Sequence, residues 1–171
     1  MKLDKKITES SNIKSKDIDK KSISEILNIF NSEDETVVKA VKNSLNKIYD
    51  IIDLTINSLN NDGRLFYVGA GTSGRLGVLD AAECVPTFSI NSELVQGIIA
   101  GGEEAMFKSI ENAEDKTSEI SNIITDKSIS SRDMVIGISC SGGAPFVLEF
   151  LNQSKQNGAS TALITFNDIE N

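Results

Sequence analysis

Not one histidine occurs in the 171 residues of this chain. That removes the commonest general base, the nucleophilic triads built on it and the commonest zinc ligand. Tryptophan is also missing, aromatic residues make up 5% and the formal net charge is −8. A nucleic-acid binder wants a basic stripe with aromatics interleaved, so this composition argues against one. No apolar run is long enough to span a bilayer, and no membrane association is expected. The basic residues near Met1 have no apolar stretch behind them, which argues against a secretory signal. The two cysteines, Cys84 and Cys140, lie far apart and form no C-x-x-C motif. They read as reduced thiols of a cytoplasmic protein, packed rather than reactive.

What is present is an apolar share of 39% with 25% charged residues, the balance of one globular domain with a real core. The first segment is polar and lysine-rich, with apolar residues at Ile18, Ile23, Ile26, Leu27 and Phe30 that predict a short amphipathic helix over Ile18–Phe30. Asn31–Glu35 reads as a capping cluster before a long helix over Thr36–Leu59, whose Val37, Val38, Val41, Leu45, Ile48, Ile51, Ile52 and Ile56 share one face. Asn60–Gly63 ends it. Strands then alternate with helices. Strands are expected at Leu65–Val68, Leu94–Ala100, Met134–Ser139 and Thr161–Phe166, and helices at Ser73–Glu83, Glu103–Glu111, Thr117–Ile124 and Pro145–Gln156. This order predicts an α/β fold: a three-layer parallel sheet with helices on both faces, preceded by N-terminal helices. Residues 1–60 form the helical segment and 61–171 the α/β domain. The pattern stops after a fourth strand with no helix to cover it, as expected of the first part of a longer domain.

Gly69-Ala-Gly-Thr-Ser-Gly74 satisfies G-x-G-x-x-G between a strand and a helix. A dinucleotide site would want an acid at the tip of the second strand, but that strand ends in Ala100-Gly101-Gly102. No Gly-Lys-Ser/Thr follows, so it is no P-loop. Thr72 and Ser73 instead suit donation to a small phosphate. A second turn, Ser139-Cys-Ser141-Gly142-Gly143, also follows a strand and opens a helix. Each turn alone reads as an ordinary serine-capped connection. Together, with Arg75 beside the first, they favour phosphate binding at helix N-termini. Among acids, Glu83 is expected at a helix end in an apolar setting with Cys84, Val85 and Pro86, which would raise its pKa and suit it to donate a proton. Glu111, Glu114 and Asp115 form a second cluster. The residues alone do not choose among these acids, or dismiss Glu103 and Glu104.

The run Gly69–Cys84, with Pro86-Thr-Phe88, resembles the signature of the N-acetylmuramic acid 6-phosphate etherase family, a branch of the sugar isomerase (SIS) superfamily. Thr8–Asn12, Ile98–Glu103 and Glu111–Asp115 resemble further blocks of the same family, so the likeness is colinear over nearly the whole chain. The resemblance implies a flavodoxin-like SIS fold, here the N-terminal portion, and a homodimer. It also implies cleavage of the D-lactyl ether of a phosphorylated amino sugar by elimination and water addition, without metal or organic cofactor. By family pattern Glu83 is the acid and Glu114 the base, and Gly71, Thr72, Ser73, Gly74 and Ser141 hold the 6-phosphate. The chain departs from that pattern at Gly143 and Ala144, where arginine and threonine are usual. A phosphosugar-binding protein without catalysis therefore stands as the alternative, ahead of a dinucleotide-dependent oxidoreductase.

Overall fold

The computed structural model describes residues 6–167, which divide into two compact units, one up to Ile52 and one from Asp53. The first holds three short 3-10 turns, the helix α1 (Ile23–Asn43) and the start of α2 (Leu45–Asn60). The expected helix start at Asn31–Glu35 is not there. A capping box at Ser22 starts α1 earlier, with the Glu25 carboxylate accepting the Ser22 N–H at 2.8 Å. Asn31–Glu35 then continues as helix, exposed except at half-buried Glu33, and the break falls at Ser44, whose N–H turns back to Val41. No residue of α1 is buried, and Ile23, Leu27, Phe30 and Val38 lie on the surface.

In the second unit, β1 (Leu65–Gly69), β2 (Val95–Ile99), β3 (Met134–Ile138) and β4 (Ser160–Ile164) form one sheet in the order β2-β1-β3-β4. Every pairing is parallel, with Leu65 opposite both Val95 and Met134, and Met134 opposite Ser160. Helix α3 (Gly71–Phe88) connects β1 to β2. Beyond β2 come α4 (Glu104–Phe107), α5 (Ile120–Asp126) and, after β3, α6 (Pro145–Gln156). Side chains alternate across a strand, and β1 shows which helix takes which face. Tyr67 lies against α3 at Gly77. Phe66 and Val68 are fully buried in a cluster with Ile120 and Ile124 of α5 and Phe146, Val147 and Phe150 of α6. The sheet is therefore covered on both sides, as its alternating sequence predicts. Edge strand β4 is only half-buried, and Ile164 is 44% exposed.

The approach of α3 to the sheet is set by glycines that leave no room for a side chain. A Cβ on Gly97 of β2 would sit 2.5 Å from the Cα of Val78. Gly97→Ala is expected to cost about 1–3 kcal/mol through overpacking, read as a lower melting temperature, with the cavity described below unaffected because Gly97 is not part of it.

One buried charge ties the bottom of the sheet together. Asp133, 1% exposed, takes a bidentate pair from Arg64, with Nε–Oδ1 and Nη2–Oδ2 both at 3.0 Å. It also accepts the backbone N–H groups of Arg64 and Ser130. Burial pushes this carboxyl upward, but the Arg64 guanidinium and the N–H donors outweigh it and hold the group below the usual aspartate range. Among the described residues, no helix is long and apolar enough to cross a membrane.

Candidate functional site

The strand order places the reversal of the winding between β1 and β3, because β1 is followed by β2 on one side and β3 joins on the other. In such sheets the crevice for a ligand opens at the carboxyl ends of the strands that flank this reversal. The two serine-bearing turns leave from those ends.

Helix α3 opens without a side-chain cap. Its N-cap is Ala70, which makes no capping hydrogen bond, and its first residue is Gly71 in the left-handed region at φ 54°. The first intrahelical bond is Gly74 N–H to Ala70 C=O at 3.3 Å. The N–H groups of Gly71, Thr72 and Ser73 therefore precede the ladder and have no intrahelical partner. Thr72 is exposed and Ser73 half-buried. Gly74 differs from its neighbours: it is buried, its N–H is used, and a Cβ there would meet Ile99 Cγ1 at 2.6 Å and the Gly69 oxygen at 2.8 Å. Its contribution is the close seating of the helix on the strand, as for the last glycine of a dinucleotide turn. In the second turn, Ser141 is half-buried. Its Oγ accepts the Gly143 N–H at 3.2 Å, and its carbonyl accepts the Asn167 amide at 3.0 Å. Helix α6 also lacks a side-chain cap and begins at Pro145.

Beside the α3 turn lies a cleft of about 280 Å³ whose wall includes Gly71, Arg75, Lys108, Glu111 and Glu114. The expected helix over Glu103–Glu111 shrinks to the single turn of α4, because Gly101 and Gly102 take left-handed φ and Lys108 is extended. The chain then loops through Asn112, at φ 58°, into a 3-10 turn over Ala113–Asp115. Ala113 is buried and pins this turn, while Glu114 stays exposed at the cleft. Thr72, Ser73, Gly74 and Ser141 do not line the cleft. Lys108 was not singled out from the sequence, where an isolated lysine carries no spacing signal.

Glu83 lies elsewhere. The helix does not end beside it but runs through Pro86 to Phe88, closing at Ser89 with φ 54°. Proline ends a helix when its missing N–H is needed; here it falls in the last turn. Glu83 is exposed, and the apolar setting expected around it is not supplied by this chain. Twelve residues separate it from Gly71 in α3, which at about 1.5 Å per residue is about 18 Å along the axis. The chain thus brings Glu114 and Gly71 to one cleft and sets Glu83 far along α3 from Gly71. Next to Glu83, Cys84 is half-buried, and burial first, then the Asp80 carboxylate, push its thiol upward. Tyr67 is pushed upward in the same way by burial and by Asp80. A raised thiol stays protonated at neutral pH, so Cys84 packs rather than reacts.

A family model described as the glucokinase regulatory protein N-terminal SIS domain matches residues 47–155, the stretch that holds every candidate residue above. Among curated relatives, an N-acetylmuramic acid 6-phosphate etherase of Oceanobacillus iheyensis is 48% identical over 165 residues, covering 96% of this chain and 56% of the relative. The same-named protein of Clostridium beijerinckii is 47% identical over 161 residues, covering 94% and 53%. The chain thus spans about half the length of these curated relatives. Among solved structures, a phosphoheptose isomerase from Neisseria gonorrhoeae superposes with a TM-score of 0.63 at 18% identity, covering 83% of this chain and 73% of that one. That likeness supports the fold.

Proposed function

We propose a lyase activity for this chain, which belongs to the family of glucokinase regulatory protein N-terminal SIS domains: within the whole protein it cleaves the D-lactyl ether of N-acetylmuramic acid 6-phosphate. The products are N-acetylglucosamine 6-phosphate and D-lactate. The observation that carries this reading is the uncapped start of α3, with three N–H groups outside the helical ladder and two hydroxyls, beside a cleft that holds Glu114. An α/β turn of the bland kind would have its serine capping the helix; this one leaves its donors for a ligand. A helix N-terminus favours a dianion there despite the acidic surface, since its field acts at contact range.

Glu114 takes the C2 proton of the open-chain sugar, and an acid protonates the departing lactate oxygen; water then adds at C3. The acid is Glu83, delivered by a second copy of the chain in a homodimer. Two observations support that arrangement. Glu83 is too far along α3 to share a ligand with its own phosphate turn. It also lies at helical spacing from Leu76 and Leu79, both 56% exposed, so a subunit contact over this stripe would surround the carboxyl with apolar surface.

Lactate release from the phosphorylated sugar, compared with the same sugar lacking phosphate, tests the reading. Thr72→Val with Ser73→Ala is expected to raise KM for the phosphorylated substrate by about tenfold or more, since lost hydrogen bonds to a charged group are each worth about 1.5–3 kcal/mol. Equal turnover with and without the phosphate would overturn it. The second turn favours one rival, a phosphosugar-binding protein without catalysis, because Gly143 and Ala144 bring neither charge nor hydroxyl. Binding of the phosphosugar by the intact protein with no lactate released would establish that rival.

A further inference from the structure

The one guanidinium at the candidate site does not point at the phosphate turn. Arg75 sits in the second turn of α3, half-buried. Its Nε donates to the Met106 carbonyl at 3.1 Å and its Nη2 to the Lys108 carbonyl at 3.0 Å. Those oxygens belong to the end of α4 and the residue that follows it. The last carbonyls of a helix have no partner in the helix, and a cation suits the negative end of its dipole. A planar fork reaching two carbonyls at once fixes both the position and the direction of the chain as it leaves α4.

That exit leads directly to the acid. From Lys108 the chain runs five residues to the start of the 3-10 turn bearing Glu114, with Ile110 packed on the core and Ala113 buried. Ala105 is buried, but Phe107, Lys108 and Ser109 beyond it are all exposed. Phe107 is 91% exposed, and the ion pair of Lys108 with Glu104 is on the surface, where such pairs contribute little. Arg75 is therefore the covalent neighbour of the phosphate turn at one end and the hydrogen-bonded anchor of the Glu114 segment at the other.

We propose that Arg75 is a positioning residue: it locks the 104–115 segment to the start of α3, and so sets Glu114 at a fixed reach from a phosphate held at Gly71–Ser73. The inference rests on the base role of Glu114 stated above. It deepens that reading by making the distance between phosphate and base a property of one side chain. Misplacement by about 1 Å can cost about a hundredfold in rate, so the brace acts on the chemical step rather than on affinity.

The test uses the intact protein with Arg75→Met, which keeps the aliphatic stem, and Arg75→Lys, which can donate to one carbonyl but not hold both. Arg75→Met is expected to lower kcat by about a hundredfold. The dissociation constant for N-acetylglucosamine 6-phosphate should change by less than about threefold, and amide hydrogen exchange over residues 104–115 should accelerate selectively. Arg75→Lys should recover only part of the rate, and in a third variant, Arg75→Ala, millimolar guanidinium should restore turnover. An unchanged kcat, or a loss of product binding as large as the loss of rate, overturns the proposal; the second result would put Arg75 on the phosphate itself. Glu114→Gln run alongside separates the two readings. Turnover surviving in that variant removes the base role, while exchange over 104–115 still decides the brace: no acceleration in Arg75→Met overturns it.

Discussion

Glu114→Gln is expected to lower kcat for lactate release by about 10²- to 10⁴-fold, the usual contribution of a positioned base, with little change in product affinity. The amide keeps the shape and the exposure of the side chain at the cleft but takes no proton from C2. Glu83→Ala should fall comparably, because a poor leaving group departs slowly without a proton. The decisive form of the experiment mixes the two inactive proteins. If Glu83 serves the cleft of a second copy, a mixed dimer pairs one intact cleft with one intact acid, and about half of the wild-type rate per mixed dimer returns. Co-expressed, separately tagged subunits purified as the heterodimer give that number directly. A heterodimer as dead as its parents would mean that Glu83 and Glu114 act from the same chain or that Glu83 has no part in the step. Glu83 stands about 18 Å along a rigid α3 from the turn at Gly71, too far to share a ligand held there, so such a result would remove Glu83 from the mechanism.

The second large effect concerns stability. Asp133→Asn is expected to destabilise the second unit by about 3 kcal/mol, within the range for breaking a buried ion pair at one partner. That is a fall of about 2–4 °C in Tm for each kcal/mol in a domain of this size. The asparagine amide cannot accept the Arg64 fork through both arms while also accepting the N–H of Ser130. The pH dependence follows from the direction of the shift. The Asp133 carboxyl is held below its ordinary value in the folded protein, so the unfolded chain takes up its proton first as pH falls. Its contribution is whole above the ordinary aspartate pKa, near 3.9, and is lost as pH drops through the lower folded value. Acid unfolding followed by circular dichroism should therefore begin at higher pH in Asp133→Asn than in wild type only through its lower starting stability. The slope of stability against pH below about 4 should be shallower in the variant, because this carboxylate no longer contributes to it.

Much of this arrangement is legible in the sequence. The helix over Pro145–Gln156 has the ends that the sequence predicts, because a proline at its first position and a glycine just beyond it mark both boundaries. The four strands were read within a residue or two, since short apolar runs between glycine turns leave few choices. The polar run Asn31–Glu35 looks like a cap yet lies inside a helix. Local signals of that kind compete, and the stronger cap at Ser22 prevailed over the weaker one downstream. The helix read over Glu103–Glu111 failed differently. Its carbonyls are taken by Arg75, thirty-one residues earlier, and no local pattern announces such a partner.

By itself the sequence determined the parallel α/β class, the two turns and the inventory of acids, because period, glycine spacing and the absence of histidine are local or countable properties. Only the tertiary structure decided how the motif divides its labour. It gave packing to Gly74 and open donors to Gly71, Thr72 and Ser73. It sent the Arg75 guanidinium to a loop rather than to an anion, and it parted Glu83 from Gly71 along the length of α3. These outcomes depend on which groups meet across the fold, and meetings between distant residues are set by packing and hydrogen-bond satisfaction over the whole chain.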